Sequence, residues 1–172
     1  MHTIYTIGHS TRTIEQFIEL LKAHDIEELV DVRTIPKSRH NPQFGAEELA
    51  ASLQRAGIDY KHLARLGGLR HASKDSVNLG WQNTSFRGFA DYMATLEFRT
   101  GLDELKALAE KKTIVIMCAE SVPWRCHRSL IADALAVQGW QVLHIQSRKT
   151  ASPHEPTTFL KVQDGKLTYP EP

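Results

Sequence analysis

The chain has 172 residues, 41% hydrophobic and 24% charged, which fits a single globular unit long enough to bury a core without staples. A formal net charge of +1 excludes a global basic field, so any anion site must rest on a local cluster of Arg and Lys. Two cysteines exclude a disulfide framework, and a reducing compartment fits them best.

The opening "MHTIYTIGHS" lacks a charged region followed by a long apolar core, so no signal peptide is expected. No apolar run reaches membrane-spanning length, and the expected location is cytoplasmic. "TIYTIG" is rich in β-branched residues and stops at Gly8, as a strand entering a turn does. In "TIEQFIELLKAH" the Thr13/Gln16 pair resembles a capping box, and Ile14, Phe17, Ile18 and Leu21 share one helical face. "ELVDVR" reads as the next strand, "AEELAASLQRAG" as a helix stopped at Gly57, and "IDYKHL" as a third strand.

Region 67–88 has no periodicity and is too long for a plain connection, so it is a candidate mobile cover. "FADYMATLEF" and "LDELKALAEK" read as two helices around Gly101. The almost wholly apolar "TIVIMC" is a strand covered on both faces, "CHRSLIADALAVQG" a helix beginning at Cys126, and "QVLHI" a last buried strand. A polar connection from about residue 147 leads to a hairpin turning at Asp164-Gly165. The alternation predicts one α/β domain over 1–172, in three layers: a mostly parallel central sheet, helices on both faces, and a C-terminal β-hairpin.

Ligands of an open parallel sheet collect outside the carboxyl ends of its strands. Here those ends deliver His9 and Ser10, then Asp31 and Arg33 with Lys37 and Arg39 close behind, then Cys118 and Glu120, then His144. Arg125, Cys126, His127 and Arg128 open the following helix. Each also has a plainer reading. Asp31 suits a buried cap or an Arg partner, His144 a hydrogen-bonded core histidine, and Ser10 a helix start.

"TIGHS", "DVR" followed by Pro and Ser, "LGG", "FADYM", and above all "MCAE" followed by "CHR" resemble the domain of unknown function 488 family. The resemblance runs from about Thr3 to Ile145 and implies a compact α/β domain. It marks His9, Ser10, Asp31, Arg33, Cys118, Glu120, Cys126, His127 and Arg128 as matching positions, and implies no reaction.

Four chemistries compete at "CAESVPWRCHR". Zinc needs closer thiolate spacing than the seven residues between Cys118 and Cys126, so neither metal nor other cofactor is expected. A redox pair is reachable across one loop, although the usual dithiol is Cys-x-x-Cys. A Cys118 nucleophile has the strand–loop–helix layout of rhodanese-like and tyrosine-phosphatase-like sites. But the loop has no Gly, Arg125 lies one residue beyond the phosphatase spacing, and Glu120 repels anions.

The favoured reading is a phosphate site. Free N–H groups at the N-terminus of the Cys126 helix, with Arg125, Arg128, Arg33 and Arg39, would bind a phosphate-bearing small molecule or a nucleic-acid end. Glu120 with His9 or His127 would form an acid/base pair or a sugar-hydroxyl ligand, and Trp81 would stack on a base. A non-catalytic interaction module is the third class.

Overall fold

The computed structural model describes residues 2–120 and 122–172, and for Trp124 the backbone alone. Among the described residues eight strands and five α-helices are formed: β1 (Thr3–Gly8), α1 (Ile14–Ala23), β2 (Glu28–Asp31), α2 (Ala46–Arg55), β3 (Asp59–His62), α3 (Thr84–Tyr92), α4 (Leu96–Lys111), β4 (Ile114–Cys118), α5 (Arg128–Val137), β5 (Gln141–Ile145), β6 (Ala151–Pro153), β7 (Lys161–Gln163) and β8 (Lys166–Thr168).

Six strands make one sheet in the order β3-β2-β4-β1-β5-β6. All its pairs are parallel except β5–β6. Side chains alternate across it, as the two-residue strand period requires. Ile7, Leu29, Val115 and Met117 pack with Phe17, Leu20, Leu21, Leu49 and Leu53 of α1 and α2. Ile4, Val30, Ile114 and Ile116 pack with Phe89, Phe98, Leu102, Leu105, Leu130 and Ile131 of α3, α4 and α5. The expected three-layer α/β architecture is therefore present, and β7–β8 form the hairpin, with Asp164 and Gly165 at positive φ in its turn.

Local chemistry explains the boundaries. Thr13 caps α1 with a complete capping box to Gln16. Asn83 caps α3 by accepting from the amides of Ser85 and Phe86. Gly101 does not separate two helices. It sits inside α4, where a Cβ would come within 2.9 Å of the Arg65 side chain, so its role is close packing.

The irregular stretch before α3 carries hydrogen bonds of its own. The Asp91 carboxylate accepts from the Ser73 amide, the Ser76 hydroxyl and the Asn78 amide group, while Asn78 in turn accepts from the Tyr169 amide.

The chain leaves β1 through α1 toward β2 on one side, and leaves β4 through α5 toward β5 on the other. The connections diverge at the carboxyl ends of β1 and β4, the place in such a sheet where a crevice opens.

Candidate functional site at the carboxyl edge of the sheet

After β4 the chain does not run straight into a helix. Pro123 fixes a short 3₁₀ turn over Pro123–Arg125, Cys126 is extended, and α5 begins at Arg128 with His127 as its cap. The helix therefore starts two residues later than its sequence pattern predicts. Its first-turn donors are also engaged. The Ser129 amide and hydroxyl both reach the Cys126 carbonyl, at 3.1 and 3.0 Å, and the Leu130 amide reaches the His127 carbonyl at 3.0 Å. An anion seated on those amides would have to displace these bonds.

The turn brings the two cysteines together. The Cys118 and Cys126 sulfurs lie side by side within reach of a disulfide, their Cα atoms 7.2 Å apart, more than the usual span of such a bridge. Both are buried, on the α3–α5 side of the sheet. The Arg128 guanidinium, itself buried, lies with Nη1 3.6 Å from the Cys118 sulfur. Burial and the neighbouring Arg12 push Arg128 down to about 10, so it stays cationic at neutral pH.

His127 faces the other sulfur. Its Nε2–H is shared between the carbonyls of Val32 (2.9 Å) and Leu66 (3.0 Å), which fixes the tautomer and leaves Nδ1 as an acceptor 3.5 Å from the Cys126 sulfur. Burial pushes the imidazole down to about 4, with Arg128 and Arg70 adding to the shift against the two carbonyls. The ring is thus neutral. Gly68 is what lets it fit, because a Cβ there would come 2.6 Å from Nδ1. Gly67 likewise admits Thr34.

Asp31 is not a ligand-facing carboxylate. It grips Arg33 at two points, Nε to Oδ1 at 2.9 Å and Nη2 to Oδ2 at 2.7 Å, and it accepts from the Arg33 amide and from the Tyr60 hydroxyl. Tyr60 is pushed up by burial and by this carboxylate. The Arg33 Nη1 has no acceptor among the described residues.

His9 is buried and stacked on Phe44 at 4.3 Å, with Nδ1 on the Ser10 carbonyl and Nε2 without a partner among the described residues. Burial pushes its pKa down, with Arg33 and Arg12 acting in the same direction and Ser10 and Asp31 opposing. Ser10 adopts positive φ, and its amide bonds the Ala119 carbonyl.

A cleft of about 320 Å³ opens over the sulfurs. Its lining includes Arg33, Lys37, Glu120, Arg125, Cys118, Cys126 and His127, with Ile35, Leu69, Ser85 and Phe86 as walls. Arg128 is beneath it, against Cys118. Arg39 is exposed and does not line the cleft.

Trp81 does not line it either. The indole packs against Phe86, Phe159 and Tyr169 at 5.2, 4.8 and 5.6 Å, as a satellite of the core under the long loop. Trp81 thus lies outside this cleft, and among the described residues Phe86 is the aromatic ring of Phe, Tyr or Trp that lines it. Sequence reading also missed Ile35, Leu69 and Ser85. The "LGG" run was the one signal for the close approach of that loop.

A larger hollow of about 470 Å³ is lined by Trp81, Pro123, His144 and His154 among others. Its histidines are already committed. The Thr6 hydroxyl bonds His144 Nδ1 (2.5 Å), His144 Nε2 bonds His154 Nδ1 (2.9 Å), and His154 Nε2 bonds Asp133 (2.7 Å). Thr157 and Tyr169 complete the Asp133 shell. His144 is therefore a hydrogen-bonded core histidine, and the smaller cleft is the better candidate. Among the described residues no group of three or more His, Cys, Asp and Glu is placed to hold a metal ion.

Residues 13–135 match the family described as "Domain of unknown function DUF488". The chain belongs to the DUF488 family. Within this DUF488 domain lie Asp31, Arg33, the "LGG" loop, both cysteines, His127 and Arg128, so one family unit holds most of the cleft. His9 and Ser10 precede the matched region. No curated protein and no solved structure matches the chain.

Proposed function

We propose that the cleft is a thiol-dependent active site in which Cys118 is the nucleophile and Cys126 the resolving thiol. The observation that carries this reading is the adjacency of the two sulfurs at the carboxyl end of a central strand, each beside a different partner. Arg128 is cationic and favours a thiolate on Cys118. His127, neutral and with a pKa near 4, is too weak a base to ionise Cys126, and holds it as a thiol through Nδ1. The two sulfurs thus have different nearest polar partners, which supports separate roles for them.

The Cys118 thiolate attacks one sulfur of a substrate disulfide, forming a mixed disulfide and releasing one thiolate. Cys126 then attacks the Cys118 sulfur and closes the Cys118–Cys126 bond, and its proton leaves with the second thiol. The substrate gains two electrons, the dithiol loses two, and an external dithiol reductant restores the pair. Titration in buffers of graded thiol–disulfide poise, followed by alkylation and intact mass, tests this. A single two-electron transition that vanishes in Cys118→Ser supports the reading; two permanently free thiols oppose it.

The second reading is a binding site for a phosphate-bearing ligand, a nucleotide or a nucleic-acid end, without thiol chemistry. The cations Arg33, Lys37 and Arg125 around the cleft favour it. It predicts that nucleotide binding survives Cys118→Ser and is lost in Arg33→Ala.

A further inference from the structure

We infer that the substrate of this thiol site is a small disulfide carrying carboxylates, recognised by Arg33, Lys37 and Arg125. The inference rests on the thiol-dependent reading above and adds the substrate's charge and size. Size follows from depth. The sulfurs belong to residues 2% and 6% exposed, at the floor of a cleft of about 320 Å³. A thin chain of a few heavy atoms on each side of its sulfur reaches them, whereas a disulfide held flush in a folded protein does not.

Charge follows from the lining. Arg33, Lys37 and Arg125 line the cleft with one carboxylate, Glu120, and because Asp31 already pairs Arg33 the positive excess is carried by Lys37 and Arg125. Lys37 and Arg125 are exposed and give long-range attraction. Arg33 is different in kind. It is 6% exposed, oriented by the two-point grip of Asp31, and keeps Nη1 without an acceptor among the described residues. A buried guanidinium N–H left unmatched is costly, so a small side-chain shift that opens Nη1 to the cleft would let a ligand carboxylate supply the missing acceptor. Ile35 and Leu69, 58% and 66% exposed, provide apolar walls for the methylenes between carboxylate and sulfur.

In the first step the Cys118 thiolate forms a bond to one substrate sulfur, and the substrate S–S bond breaks. The departing thiolate carries one carboxylate away while the other stays on the mixed disulfide near Arg33. The experiment uses the reduced Cys126→Ser variant, which stops at that stage, with dithiodiglycolate, hydroxyethyl disulfide and cystamine as acidic, neutral and cationic probes of similar size. Adduct formation is followed by acid quench and intact mass, each rate divided by that of a free model thiol with the same probe.

The acidic probe should react about tenfold or more faster than the cationic one at low salt. That ratio should fall toward one in 1 M salt, as screening on the order of 3 Å implies, and in Lys37→Gln/Arg125→Gln added to the trapping variant. Equal rates for the three probes, or a faster cationic probe, overturn the substrate assignment and leave the thiol site standing. No adduct on Cys118 with any probe overturns both.

Discussion

The guanidinium of Arg128 lies 3.6 Å from the sulfur of Cys118, beneath the carboxyl edge of the sheet. Opposite it, the neutral His127 ring faces the sulfur of Cys126. One sulfur has a cation as its polar contact and the other a neutral ring. The proposed roles of the two cysteines rest on this difference.

Removing the charge should weaken the nucleophile. In a Cys126→Ser background, Arg128→Met should move the pH midpoint of Cys118 alkylation upward by about one pH unit or more. Arg128→Lys should recover part of the shift. Alkylation rates between pH 6 and 10 read this directly, and a midpoint independent of residue 128 counts against a role for the guanidinium.

The grip of Asp31 on Arg33 is a buried ion pair, so breaking one side should cost more than removing both. Asp31→Leu should lose roughly 3–5 kcal/mol in urea unfolding. The double variant Asp31→Leu/Arg33→Met should lose distinctly less, because no buried charge remains uncompensated. A double variant as unstable as the sum of the single ones would show that the pair is not energetically coupled.

Gly68 is present because His127 is close. Gly68→Ala places a Cβ 2.6 Å from Nδ1, against a ring held by two carbonyls, and should cost about 2–3 kcal/mol. Combined with His127→Ala, the added loss from Gly68→Ala should shrink well below its cost alone. Strict additivity in thermal melts would remove the steric explanation.

Acid should destabilise the fold early. His127 and His144 are held down to about 4 and about 3 from an ordinary 6.5, both chiefly by burial. The unfolded chain then binds protons that the folded chain refuses. Their contribution to stability is full above about pH 7 and declines as pH falls through 6.5 toward 3–4. Each contributes roughly 3–5 kcal/mol over the whole range, of which about 2 kcal/mol falls between pH 7 and pH 5. Urea midpoints at pH 7 and pH 5 should differ accordingly, and a stability flat across that interval would contradict the neutral-imidazole assignment.

Much of this arrangement was legible in the chain. The apolar period of "TIVIMC", the capping box of Thr13 and Gln16, and the Asp164-Gly165 turn are local signals, and local physics decided them. The edge of the sheet was legible for the same reason, since strand ends follow from strands. What failed depends on contacts distant in sequence. Cys126 looked like the start of a helix, but Pro123 forces a turn whose carbonyl takes its amide. Trp81 looked free to stack until Phe159 and Tyr169, far along the chain, closed around it. The Asp133–His154–His144–Thr6 chain was invisible because it needs β6 to lie antiparallel on β5, and "ASP" alone carries no such signal.

The central claim, that Cys118 attacks and Cys126 resolves, is tested by a quench experiment on three reduced proteins given hydroxyethyl disulfide. Cys126→Ser should accumulate one mixed disulfide on Cys118. The unsubstituted protein should pass through that adduct and end with both cysteines joined and no adduct. Cys118→Ser should react at least tenfold more slowly. Trapping on Cys126 with Cys118 unmodified would reverse the roles, and three proteins that react alike, at the rate of an ordinary thiol, would contradict the account.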